Sequence, residues 1–78
     1  MTRDKYEKKF SEYRDVLTLS DFMKMFGIGD SYARKLMREN HVRHFYISHK
    51  YYIPKVWAID YIFSDHYQST KHRLGTQI

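Results

Sequence analysis

The sequence contains no cysteine and only one proline in its 78 residues. The absence of cysteine excludes a disulfide framework and any metal site built on thiolates. No stretch approaches the ~18 apolar residues of a membrane span, and the first ten residues lack the apolar core of a signal peptide. We therefore expect a soluble, cytoplasmic protein without a membrane partner, stabilised by packing alone.

Catalytic and metal-binding patterns are also missing. Eight tyrosines are present, but phosphoryl transfer by a tyrosine needs cations and acid–base partners in a cleft that so short a chain scarcely encloses. No His-x-x-x-His pair lies on a predicted helix, and His41 with His44 is a weak pair at the end of a helix. We expect no enzymatic activity, no metal and no cofactor.

The hydrophobic fraction of 42% and the aromatic fraction of 18% are sufficient for one modest core. The net charge is +5, and its distribution is uneven. Residues 31–55 contain six basic side chains and one acidic side chain, whereas the remainder contains eight of each. The six are Arg34, Lys35, Arg38, Arg43, Lys50 and Lys55. A cluster of positive charge predicts a polyanionic partner.

An N-terminal arm is predicted for residues 1–16, which are densely charged but balanced. Tyr6, Phe10 and Tyr13 are spaced i, i+4, i+7, so they form a narrow apolar stripe if the arm is helical. A stronger start signal follows at Thr18, whose hydroxyl can cap a helix that has Asp21 in its first turn.

Two helices separated by a glycine turn are predicted next. Apolar residues at helical spacing indicate a first helix over about residues 19–26, and Gly27-Ile28-Gly29 ends it. Asp30 or Ser31 is expected to cap a second helix that ends near Asn40, a residue that tolerates the left-handed conformation. The inward stripe of this helix consists of Ala33, Leu36 and Met37. Its opposite side carries Ser31, Tyr32, Arg34, Lys35 and Arg38.

A β-hairpin is predicted between Val42 and Ile53, because this stretch is rich in aromatic and β-branched residues and is divided by Ser48-His49-Lys50. Pro54 suits the first position of a last helix, which extends to about Phe63. The expected fold is α+β, a winged helix-turn-helix with a two-stranded wing over residues 17–63. The N-terminal helical arm precedes it, and residues 64–78 form a polar, flexible tail.

The last helix has a second apolar stripe, formed by Val56, Ile59 and Phe63, beside the inward one. The apolar side chains of this stripe are expected to be buried by another segment of the chain or by another protein. One alternative is the N-terminal arm, because a small domain gains most by burying its own surface. The other is a protein partner, either an integrase or another copy of the chain.

Several short motifs over residues 17–63 resemble the excisionase-type winged-helix family. They are Leu17-Thr18-Leu19-Ser20-Asp21-Phe22, Phe26-Gly27-Ile28-Gly29, Ala33-Arg34-Lys35-Leu36 and Tyr52-Ile53-Pro54. The Ile28-Gly29-Asp30 turn followed by Arg34, Leu36 and Glu39-Asn40 is similar to small excisionases of conjugative transposons. The resemblance implies that the second helix enters the major groove and the wing follows the minor groove of double-stranded DNA. It also implies that several copies bend DNA and help a tyrosine integrase to excise a mobile element.

Residues expected to contact DNA lie on the second helix and on the wing. An α-helix fits the major groove, where Ser31, Tyr32 and Lys35 are our candidates for reading bases. Arg34 and Arg38 are expected to contact phosphates. On the wing, the side chains that suit phosphates or a narrow minor groove are those of Arg43, His44, His49 and Lys50.

Other functions remain open at this point. A transcriptional repressor or a plasmid accessory protein would use the same fold, because fold does not fix biological role. A module that binds an acidic protein partner through its basic face is an alternative of a different class.

Overall fold

A computed structural model describes residues 3–74 of the chain and the side chains of residues 3–70. The fold is α+β, as expected, with a three-stranded antiparallel sheet. Its elements in chain order are α1 (Arg3–Lys9), β1 (Val16–Thr18), α2 (Leu19–Phe26), α3 (Asp30–Arg38), β2 (Phe45–Ile47), β3 (Lys50–Pro54), α4 (Lys55–Ile62) and α5 (Asp65–Leu74).

Helix α2 begins and ends where the sequence predicts. The Thr18 hydroxyl accepts a hydrogen bond from the Asp21 backbone N–H at 3.2 Å, and the Asp21 carboxylate accepts one from the Thr18 N–H at 3.3 Å. This reciprocal capping box satisfies two N–H groups that a helix start leaves without partners. Gly27 ends the helix in the left-handed region, with φ 65°, where the absence of Cβ removes the steric cost.

Helix α3 is capped differently from the prediction. Gly29 is its N-cap and makes no side-chain cap bond, so Asp30 lies inside the first turn. There its carboxylate complements the helix dipole without capping it. The predicted left-handed residue after the helix is confirmed, because Asn40 has φ 59°.

The sheet has one strand more than expected. The strand order is β1-β3-β2, and β1 pairs antiparallel with β3 through Val16↔Pro54, Leu17↔Ile53 and Thr18↔Tyr52. Leu17 and Ile53 are completely buried. The predicted two-stranded wing corresponds to β2 and β3. Strand β1 was not predicted, because a three-residue strand is too short for alternation to reveal it and gains its stability from the pairing with β3.

The β2–β3 hairpin turns without glycine. Tyr46 pairs with Tyr51 and Ile47 with Lys50, which leaves a two-residue loop formed by Ser48 at φ 50° and His49 at φ 66°. Two successive left-handed residues match the twist of the flanking strands, and Asn-Gly normally occupies them. Here both positions carry a Cβ, so the turn stores strain.

Because of this strain, His49→Gly is expected to raise the free energy of unfolding by about 0.5–1 kcal/mol. Urea denaturation followed by circular dichroism measures the change. Ser31→Gly is the matched control: position 31 is helical, so glycine there is expected to lower stability by a similar amount. A loss of stability in His49→Gly would show that the turn is not strained.

The arm packs against α4. Tyr6 and Phe10 are buried, and the Tyr6 ring meets the Phe63 ring edge-on with centroids 5.5 Å apart. Of the second stripe on α4, Ile59 is buried, whereas Val56 and Phe63 remain partly exposed. Polar contacts fix the same junction, because Arg3 forms an ion pair with Asp60.

Helix α4 starts one residue later than expected. Pro54 is its N-cap and the last residue of β3, so Lys55 is the first helical residue. The Lys55 ammonium donates to the backbone carbonyls of Phe10 and Tyr13 at 3.3 Å and 3.0 Å. Lys55, a member of the basic cluster of residues 31–55, therefore connects the arm to the start of α4.

The flexible tail predicted from residue 64 onward is wrong for residues 65–74, which form α5. The Ser64 hydroxyl accepts a hydrogen bond from the Tyr67 N–H at 3.2 Å, as an N-cap does. Tyr67 is buried against Phe26 and Tyr61, with ring centroids 5.7 Å and 5.5 Å away. Residues 75–78 lie outside the described residues.

Candidate nucleic-acid interface

Helix α3 divides cleanly into a buried and an exposed side. Ala33, Leu36 and Met37 are buried in the core, as their spacing predicts. Ser31, Lys35 and Arg38 are exposed on the opposite side, because positions four and three residues apart share a helix face. We call these three residues the basic face of α3.

The positive charges near this face are largely uncompensated. Within the part of the chain that the structure describes, the side chains of Lys35, Arg38 and Lys50 form no ion pair or hydrogen bond. Arg34 differs, because its Nε donates to the Asp30 carboxylate at 2.9 Å. That exposed i,i+4 pair contributes little stability, and it holds the guanidinium at the edge of the basic face.

A groove of about 280 Å³ connects α3 with the β2–β3 hairpin. Its lining residues are Thr18, Leu19, Ser20, Arg34, His49, Lys50, Tyr51 and Tyr52. The structure thus brings Arg34 of the helix together with His49 and Lys50 of the hairpin. The positive charges of Arg34 and Lys50 border a single concave surface, which raises the local potential for an anion.

Four polar residues of this groove were not among the predicted contacts: Thr18, Ser20, Tyr51 and Tyr52. Ser20 was detectable in the sequence as the exposed second residue of α2, directly after the Thr18 cap. Tyr51 and Tyr52 could not be assigned to the groove from the sequence. Adjacent strand residues point to opposite faces of the sheet, and the sequence does not indicate which face borders α3.

Tyr32 does not belong to the basic face. It is half-buried and packs against the core, on the flank of α3 opposite to Arg34. There it interacts with Tyr61, and burial followed by the electrostatic interaction with Tyr32 raises the pKa of the Tyr61 hydroxyl. Tyr32 therefore packs against the core and does not lie on the exposed side of α3, where the sequence grouped it with Ser31 and Lys35.

Arg43 is also separate from the groove. Its guanidinium lies 4.4 Å from the centroid of the Trp57 ring, a cation–π contact that holds the side chain against α4. A second hollow, of about 310 Å³, is lined by Asn40, Val42, Arg43, His44 and Trp57. The two hollows share no lining residue, so Arg43 does not extend the surface formed by Arg34 and Lys50.

The structure separates the weak histidine pair noted in the sequence. The His41 ring stacks on His66, whereas His44 contacts the Tyr51 ring and the backbone carbonyl of Val42. Among the described residues, no group of three histidine, aspartate or glutamate side chains is placed to hold a metal ion. No helix within residues 3–74 is both long and apolar enough to cross a membrane.

Comparison of the chain with protein-family models, with curated proteins and with solved structures returned no match.

Proposed function

We propose that this chain is a winged-helix protein that binds double-stranded DNA. In this proposal α3 is the recognition helix, and the β2–β3 hairpin is the wing. The observation that carries the proposal is the groove in which Arg34 meets His49 and Lys50, beside the uncompensated charges of Lys35 and Arg38. Phosphate contacts supply most of the affinity of such proteins, and cations without protein partners are free to make them.

The proposed contacts follow from where each side chain lies. Ser31 and Lys35 lie at the centre of the exposed side of α3, so they face base edges when the helix enters the major groove. Arg38, the last residue of α3, and Arg34, at the edge of the basic face, contact phosphates. His49 and Lys50, at the tip of the wing, reach the adjacent backbone or minor groove.

For the biological role we propose an excisionase, a DNA-bending protein that promotes excision of a mobile element by a tyrosine integrase, with several copies on the DNA. This step rests on the motifs of residues 17–63 and on the helix, glycine turn, helix and hairpin order that the chain adopts. Addition of the protein to an integrase excision assay on its parent element tests it. Site-selective binding with no effect on excision would favour a repressor or a plasmid accessory protein.

Two single substitutions separate base reading from phosphate contact. Lys35→Ala is expected to lose roughly 5- to 150-fold in preference for a site selected from random DNA, since one good base contact contributes about 1–3 kcal/mol of discrimination. Arg38→Ala is expected to weaken all duplexes alike and to reduce the salt slope by about 1. Fluorescence anisotropy on the selected site and on a scrambled duplex measures both effects.

Lys8→Ala is the matched control, because Lys8 is exposed on α1, away from the groove; its binding is expected to equal that of the unmodified chain. If Lys35→Ala weakens the selected and scrambled duplexes equally, Lys35 contacts phosphate and reads no base.

A further inference from the structure

Two histidine rings join the end of α3 to the start of α5. His41 follows α3 by three residues, and His66 is the second residue of α5. Their rings are stacked, with centroids 3.7 Å apart and planes inclined by 14°. Neither residue lines the groove of the candidate interface, so the pair needs an explanation of its own.

Each ring has one hydrogen-bond partner at its edge. The Glu39 carboxylate lies 3.1 Å from His41 Nε2, and since an ionised carboxylate only accepts, His41 is the donor. The Tyr61 hydroxyl lies 2.7 Å from His66 Nδ1. Burial, followed by the electrostatic interaction with Tyr32, raises the pKa of Tyr61. The hydroxyl therefore stays protonated, and it donates to Nδ1 in the neutral His66 tautomer that carries its proton on Nε2.

The two stacked histidine rings together bind one added proton more easily than two. A charged His41 would have Glu39 as its counter-ion and the flat face of a neutral ring beneath it. A proton on His66 Nδ1 would instead reverse the hydrogen bond with Tyr61, so that the Tyr61 hydroxyl accepts, and with a charged His41 it would place two positive rings 3.7 Å apart. Burial, then His41 and Lys35, lower the pKa of His66 below its ordinary value of 6.5, against an opposite effect of Glu39.

We propose that the His41–His66 stack is an acid-sensitive joint that closes α5 onto the end of α3 and opens when both rings are protonated. The groups that face His66 are Tyr61 from α4, Lys35 from α3, and Glu39 and His41 from the segment after α3. Opening detaches the start of α5 and exposes Tyr67, which otherwise packs on Phe26 and Tyr61.

The direction of the pH effect follows from linkage. His66 binds its proton less readily in the folded chain than in the unfolded chain. The stability contributed by the closed joint is therefore complete above the ordinary histidine pKa of about 6.5 and is lost as the pH falls from there through the lower pKa of folded His66. Mild acid thus loosens α5.

Proton NMR of the histidine rings together with amide spectra of α5, recorded on the full chain between pH 8 and pH 5, tests the proposal. We expect His66 to titrate below 6.5, and the amide signals of residues 65–70 to shift with the same midpoint. His66→Gln keeps a planar acceptor for Tyr61 but binds no proton, so these shifts are expected to disappear. His49→Gln removes an exposed histidine of the hairpin and is expected to retain them.

His41→Gln supplies a second, independent readout, since removing a charged neighbour is expected to move the His66 midpoint upward. The proposal is overturned if His66 titrates at or above 6.5. It is also overturned if His66→Gln keeps the pH-dependent shifts in α5, or if His41→Gln leaves the His66 midpoint unchanged.

Discussion

Replacement of Lys35, Arg38 and Lys50 together by glutamine is expected to weaken duplex DNA binding about a hundredfold at 0.15 M salt. Each cation that neutralises a phosphate releases about 0.9 counterion, so the lost phosphate contacts of Arg38 and Lys50 remove more than one decade of affinity at this salt concentration. The lost base contact of Lys35, of about 1–3 kcal/mol, accounts for the rest on the selected site. The side chains are exposed, and none forms an ion pair or hydrogen bond within the described residues. Their replacement therefore leaves the fold intact, which circular dichroism verifies.

The control for this variant has the same change of charge elsewhere. Lys8, Lys9 and Lys24 are exposed on α1 and α2 and do not line the groove. Their joint replacement by glutamine is expected to change affinity less than tenfold, through the weaker long-range field alone. Equal losses in the two triple variants would mean that net charge, and not the surface formed by α3 and the wing, determines binding.

Phe10→Ala is expected to lower the free energy of unfolding by about 3–5 kcal/mol, as truncation of a buried phenylalanine does. Phe10 is 4% exposed, although it belongs to a segment that the sequence marks only as an arm. Its ring packs edge-on against Tyr13 with centroids 5.9 Å apart, and its carbonyl accepts a hydrogen bond from Lys55. Because small domains have only about 5–15 kcal/mol of stability, this loss is readily measured by urea denaturation.

Phe45→Ala removes the same side chain from the β2 strand, where Phe45 is 50% exposed. We expect a much smaller loss there, of about 1 kcal/mol or less. If the two substitutions cost the same, the arm does not form part of the core, and the stripe on α4 is left for another partner.

The two-helix unit was predictable because local signals agree with the tertiary structure. The Thr18 cap, the glycine at position 27 and the 3.6-residue spacing of Ala33, Leu36 and Met37 all act within one or two turns of chain. The hairpin was predictable for a similar reason, since its strands are adjacent in the sequence.

The missed features depend on contacts between distant residues. Strand β1 is only three residues long and exists because it pairs with β3. Helix α5 has a low apolar content, and the burial of Tyr67 on Phe26 holds it in place. Within 65–74 the sequence pattern therefore resembles a solvated tail, and no periodicity reveals the docking.

The candidate site was predicted in part. Helical periodicity correctly placed Lys35 and Arg38 on the outside, but it does not specify which element covers each flank of α3. Tyr32 is consequently drawn toward Tyr61, and Arg43 toward Trp57. The proximity of Arg34 to Lys50 depends on how the hairpin folds back toward α3, which no local signal encodes.

The most direct test of the central claim is the affinity of the unmodified chain for a 20-base-pair duplex, measured by fluorescence anisotropy between 0.05 M and 0.3 M salt. With Arg34, Lys35, Arg38 and Lys50 on phosphates or base edges, we predict that log K falls linearly with log salt concentration, with a slope of about −3 to −4. Absence of duplex binding, or binding that does not change with salt, would contradict the account and favour a module that binds a protein partner.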